Sequence, residues 1–279
     1  MKKWLTGLIL VFIAFFIWIP LWMLLSGTIM GSAELSENLA PVLEGGEGTA
    51  VWPVIAQYPT LQAYVELLLD TPQFFAVFWN SCRQVFPVVI GQIFLGAPAA
   101  WAFAKFHFRG KKILYTLYIV LMLMPFQVTM VSSYLVLNKL GLIDTVWAVI
   151  LPGAASTLPV FIMTRFFMDI PEAVMEAAAV DGASSFQTFL RFGLPLGAPG
   201  ILSAVVLGFL EYWNAIEAPQ AFLKNQALWP LSLYMSNITA DNAGVSLIAS
   251  LITLMPPLLI FLSGQKYLEQ GIISSGMKD

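Results

Sequence analysis

Apolar positions in this chain fall in long blocks, not in the alternating or one-faced patterns of soluble elements. A bilayer core of about 30 Å takes roughly 20 apolar residues of helix. Six stretches meet that length: 4–25, 85–104, 113–137, 146–164, 194–216 and 245–263. The second block is ambiguous, because the apolar run begins near Phe74 and continues to Ala104. Its first third, around 80–83, is expected to be an interfacial or outward extension of the helix. The first block follows Lys2 and Lys3 but is about twice the usual signal-peptide core, so an uncleaved anchor is expected. The pattern predicts an all-α membrane protein of six transmembrane helices, with residues 1–279 forming one transmembrane domain.

Composition strengthens this reading. The chain is 59% hydrophobic and 10% charged, against about 45–50% and 25% for soluble domains. Too few charges remain to cover a water-soluble body. A net charge of -3 with no basic tract argues against nucleic acid as a partner. One cysteine, Cys82, and one histidine, His107, leave no internal disulfide, metal cluster or Cys/His catalytic pair to propose. There is no P-loop motif, so neither an ATPase site nor a cofactor is expected in this chain. Membrane lipid is its expected surroundings.

Charge also sets orientation. With the N-terminus cytoplasmic, the inner segments carry Lys2, Lys3, Lys105, Arg109, Lys111, Lys112, Arg165, Arg191, Lys266 and Lys278. The outer loops carry only Lys139 and Lys224, with Arg83 near the outer interface. Both termini are therefore expected inside. The long outer segment holds Glu34, Glu37, Glu44, Glu47, Glu66 and Asp70, and its Gly45-Gly46-Glu47-Gly48 stretch reads as flexible.

The cytoplasmic loop 168–193 is the most informative segment. Asp169-Ile170-Pro171-Glu172 has the form of a helix start, with Asp169 as N-cap. The helix would carry Glu176-Ala177-Ala178-Ala179 and end at Asp181-Gly182, where glycine permits a left-handed turn. Ser184 and Gln187 form a second start, a capping box. Phe186, Phe189, Leu190 and Phe192 on the second helix could pack against the ends of the spans. The small, acidic Glu176–Ala179 face could approach a partner closely. Composition alone leaves open a plain helical linker between two spans.

Glu176-Ala177-Ala178, then Asp181-Gly182, then nine residues, then Phe192-x-Leu194-Pro195, resembles the EAA loop of ABC importer permeases. The family pattern is E-A-A-x3-G-x9-I-x-L-P, and only Phe192, in place of isoleucine, departs from it. Further segments are similar to the carbohydrate-type branch: Thr60-Leu61-x-x-Tyr64, Asn80-Ser81, Met124-Pro125-x-Gln127, Gly141-Leu142-x-Asp144-Thr145, Trp213-Asn214 and Gln265-Lys266-Tyr267. Within that branch they resemble the shorter, "G"-type subunit of maltose transporters.

The resemblance implies a type I importer permease fold in a prokaryotic inner membrane. It also implies four kinds of partner chain or surface: a second, non-identical permease, two ATP-binding subunits, an extracytoplasmic solute-binding protein and lipid. Glu176, Ala177, Ala178, Asp181, Gly182, Leu194 and Pro195 would couple the loop to an ATPase subunit. Glu176 would meet a basic group, Ala177 and Ala178 would allow close contact, and Gly182 would set the bend. The tail after the last span resembles a segment that reaches between the ATPase subunits.

Polar groups inside spans are costly and therefore candidates for function. Gln127, Glu211, Trp213 and Asn214 are suited to hold a sugar by hydrogen bonds and stacking. They could equally serve helix–helix contacts. Arg83 could snorkel to the interface or pair with Glu211. Competing readings are a permease for another solute, such as a peptide, amino acid or glycerol-phosphate ester, and a self-sufficient secondary transporter. The latter expects intramembrane relays or inverted repeats, and neither is evident.

Overall fold

The computed structural model describes residues 2–43, 49–235 and 242–276. The glycine-rich stretch 45–48, Glu44 and Lys278 lie outside the described residues. Twelve helices matter below: α1 (Lys2–Gly27), α2 (Ser32–Leu43), α3 (Pro72–Lys105), α4 (Lys111–Leu123), α5 (Phe126–Lys139), α6 (Trp147–Ala154), α7 (Thr157–Met168), α8 (Glu172–Val180), α9 (Ser185–Leu196), α10 (Ala198–Trp213), α11 (Glu217–Phe222) and α12 (Ala243–Gly276). Among the described residues the only strand-like pairing is one antiparallel bridge between Met30 and Pro59.

Four helical segments are long and apolar enough to cross a bilayer: Trp4–Gly27, Pro72–Lys105, Trp147–Met168 and Ala243–Glu269. Two further pairs reach that length only across a bend, α4 with α5 at 105° and α9 with α10 at 69°. The expected span 113–137 is two helices that meet at Pro125. The cause is Pro125, which sits extended at φ -65°, ψ 148° and cannot donate to the preceding turn. Its ring also keeps Met124 out of the helical region, at ψ 125°.

The chain divides into two compact units. The first comprises Met1–Phe78 with Tyr234–Met255. In it, α1 is apolar on all sides and unburied across its spanning window, as a lipid-facing helix should be. Beyond α1 the chain is organised by one carboxylate. Glu34 accepts from the backbone N–H groups of Gln57 and Tyr58 at 2.9 and 3.1 Å. Thr60 N–H donates to Ile29 C=O at 2.9 Å. Trp52 donates its indole N–H to Ser26 Oγ at 3.1 Å and packs beside the buried Met30, Leu35, Ala56 and Ala243.

The second unit comprises Trp79–Leu233 with Pro256–Asp279. Its main core joins α3, α7, α9 and α10 through Ala97, Ala100, Trp101, Phe103, Val160, Met163, Phe167, Phe189 and Ala204. Trp101 meets Phe167 edge-on at 5.3 Å and Phe189 at 5.6 Å. Apolar side chains gain little from leaving lipid, so such helices associate by close packing of small residues. Gly197 and Gly200 serve this purpose, since a Cβ at either position would strike the ring of Phe167 or Phe166. The 69° bend between α9 and α10 falls at Gly197.

Candidate functional site

The segment between α7 and α10 is built by three local devices. At its start, Asp169 closes α7, with its N–H on Phe166 C=O at 3.2 Å. The N-cap of α8 is Pro171, not Asp169, which corrects the expected helix start. Ile170 is buried in the cluster that holds Phe167 and Phe189, and Pro171 after it is extended at φ -58°, ψ 141°.

At the end of α8, Ala183 N–H donates to Ala178 C=O at 2.9 Å and Gly182 N–H to Ala179 C=O at 3.0 Å. Together with Gly182 at φ +76° this is a Schellman turn. Ser184 then starts α9 with the reciprocal box expected from sequence: Gln187 Oε1 accepts from Ser184 N–H at 2.9 Å, and Ser184 Oγ accepts from Gln187 N–H at 3.3 Å. A π-helical turn over Phe189–Gly193 follows, and Gly193 lies directly against the Trp101 ring.

These devices divide the loop into two faces. Val174, Met175 and Phe189 pack on the core, and Ala178 is buried. Glu176, Ala177, Asp181 and Gly182 are exposed, as are Val180 at 87% and Phe186 at 68%. Two expectations are corrected here. Ala178 is 3% exposed and lies on the inner face, so it offers a partner no surface. Of the four apolar residues expected to pack on the spans, only Phe189 does; Phe186, Leu190 and Phe192 remain exposed. The reason is helical phase: the π turn and the short α9 direct one apolar side chain in four at the Trp101 pocket. Leu194 is half-buried and Pro195 exposed at the foot of α9.

The other candidate residues do not converge. Gln127, exposed at the start of α5, donates its Nε2–H to Glu217 Oε1 at 2.6 Å. Trp213 is buried, 2% exposed, and stacks on Phe209 at 5.4 Å with the rings 15° from parallel. That corrects its place among residues available to a solute. Packing against Phe209 on its own helix draws the indole inward. Asn214 terminates α10 by donating Nδ2–H to Leu210 C=O at 2.8 Å, while Glu211 is exposed. Arg83 is exposed, and among the described residues no ion pair joins it to Glu211.

Several polar positions that hold this region together were not proposed as site residues, although Asn80 and Asp144 fall in segments quoted for the resemblance. Glu217, Gln127's partner, is one of few charges in a long apolar tract, which is the signal that could have found it. Asn80 and Gln84 on α3 clip the segment after α11: Asn80 Nδ2 donates to Ala227 and Trp229 carbonyls at 2.7 and 3.2 Å, and Gln84 Nε2 to Leu228 C=O at 2.9 Å. Asp144 Oδ1 accepts from Lys224 and Asn225 N–H at 2.9 and 2.7 Å.

Comparison with known proteins fits this architecture. The arabinooligosaccharides transport system permease protein AraQ of Halalkalibacterium halodurans is 24% identical over 99% of this chain and 96% of its own length. The diacetylchitobiose uptake system permease protein NgcG of Streptomyces coelicolor is 30% identical over 71% of this chain and 68% of its own. A crystal structure of a bacterial ABC transporter involved in the import of the acidic polysaccharide alginate contains a chain that superposes with a TM-score of 0.79. That match covers 95% of both chains at 19% identity, a likeness of fold. Residues 92–274 match the family model described as binding-protein-dependent transport system inner membrane component, a segment running from α3 into α12 and including the whole α8–α9 loop. The chain belongs to the family of binding-protein-dependent transport system inner membrane components.

Proposed function

We propose that this chain is one of two non-identical membrane subunits of an ATP-driven importer, moving a sugar or oligosaccharide across a prokaryotic inner membrane. Two ATPase subunits would dock from the cytoplasm and a solute-binding protein from the other side. The bent pairs α4–α5 and α9–α10 would each count as one span, giving six with both termini cytoplasmic. The excess of Lys and Arg in the segments assigned inside favours that orientation. The oligosaccharide relatives support the solute class.

The observation that carries the proposal is the two-faced loop. Its inner face packs on the core through Val174, Met175 and Phe189, with Ala178 buried. Its outer face, Glu176, Ala177 and Val180, is free to be gripped. A loop so built transmits a push as a rigid body, and ATP-driven motion of a docked subunit would reach the spans through it. Glu176→Lys should abolish transport by reversing the charge offered to the ATPase subunit. Gly182→Pro should do the same by a different route, since proline fixes φ near -65° where the turn needs +76° and removes the N–H bonded to Ala179. Both variants should still insert in the membrane. Undiminished transport in both would refute the coupling role.

The wider assembly is tested by mild detergent extraction from the native membrane and mass spectrometry of what co-purifies. A second permease, an ATPase and a solute-binding protein are expected. A chain that purifies alone and moves solute without ATP would overturn the reading.

A further inference from the structure

At the end of the second unit where Pro72–Lys105 and Trp147–Met168 both finish, a groove of about 550 Å³ opens between α3, α4 and α7. Its wall is apolar, formed by Phe103, Phe108 and Met168, and its rim carries Lys111 and Lys112. Phe103 packs on Phe108 at 6.1 Å and on Tyr115 at 5.3 Å, so the wall is a fixed aromatic surface. Tyr115 also lines the groove, and its buried hydroxyl has no hydrogen-bond partner among the described residues. That hydroxyl is enclosed, so an external molecule would meet only the apolar wall and the basic rim.

Charge says what that is. Lys111 Nζ donates to Phe106 C=O at 2.9 Å and so holds the turn, while Lys112 is exposed at the rim. Arg109 is exposed on the same turn, and no acid occurs between Asp70 and Asp144. The nearest acids, Glu172 and Asp169, act on Lys105, whose Nζ donates to Ile170 C=O. Two candidate spans end here, so the groove sits at the bilayer surface. We propose that it binds an anionic phospholipid, with the phosphate at the Lys112 rim and an acyl chain along Phe103, Phe108 and Met168. Basic pockets between helices at this level are suited to acidic headgroups.

The test is native mass spectrometry of the assembly as extracted from membranes and then equilibrated with a one-to-one mixture of phosphatidylglycerol and phosphatidylcholine. Preferential retention of phosphatidylglycerol is expected. Lys112→Gln should weaken it roughly fivefold, the effect of one basic residue at an anionic surface, and Lys112→Glu should weaken it further. Continued protection of buried Cys82 from a thiol reagent reports that each variant is folded. Equal retention of the two lipids, indifference to Lys112→Glu, or displacement by inorganic phosphate at equal concentration would each overturn the proposal.

Discussion

Replacing Gly208 by alanine tests the packing of the second unit at its tightest polar contact. Gln92 on α3 is 3% exposed and donates Nε2–H to Gly153 C=O at 3.0 Å. Its Oε1 lies over Gly208 on α10, where a Cβ would collide with it. Alanine there must push the amide away. Overpacking costs about 1–3 kcal/mol, and losing an interhelical hydrogen bond in a membrane protein costs about 0.6 kcal/mol on average. The expected destabilisation is about 2–4 kcal/mol. Gln92→Ala should cost less than that, because Oε1 has no donor among the described residues and the amide is only half-satisfied. In the Gln92→Ala background Gly208→Ala should be nearly neutral, giving a coupling of about 2–4 kcal/mol. The natural probe is Cys82, the one cysteine of the chain, which is buried. A fluorogenic thiol reagent reads its exposure during SDS titration of the detergent-solubilised protein. Equal cost of Gly208→Ala in both backgrounds would refute the contact.

Two further predictions use the same readout or a simple extension of it. Asp144 combines φ +64° with a carboxylate that accepts two backbone N–H bonds. Asn should be the mildest replacement, since it tolerates the left-handed region and keeps an acceptor. Ala, which forfeits both bonds and adds about 1–2 kcal/mol of backbone strain, should cost most; unfolding midpoints that do not follow this order would refute the assignment. Asn80→Asp replaces a donor facing two carbonyls by an acceptor, a loss of about 1–3 kcal/mol. It should free residues 225–231 to proteolytic cleavage, and unchanged cleavage would mean that the clip is not Asn80's.

Much of this architecture was legible because lipid imposes few alternatives. A backbone in hydrocarbon must satisfy itself within helices, so long apolar blocks could be read as helices directly. The capping box at Ser184 and the turn at Gly182 were legible for a local reason: both are closed by residues within a few positions. What failed was longer in range. Asp169 lost its capping role because Ile170 is drawn into a core whose other members lie on α3, α7, α9 and α10. Trp213 has the side-chain chemistry of a sugar contact, but its direction depends on stacking with Phe209. Gln127 found a partner in Glu217, 90 residues away, and no spacing rule connects the two.

The two alanines of the loop show how far a motif can be read. Ala177 and Ala178 are adjacent and identical in chemistry, yet successive helical residues point about 100° apart. One is exposed and the other 3% exposed. Small size therefore serves two different purposes. At 177 it would keep a partner's backbone close to the helix axis under the proposed coupling role; at 178 it lets the residue be buried within the protein. The consequence is directional. A larger residue at 177 would weaken docking and leave the loop's seat intact, whereas one at 178, which is buried, would displace α8 and loosen a docked partner's link to the spans. The same pair of substitutions would thus separate gripping the loop from transmitting its motion.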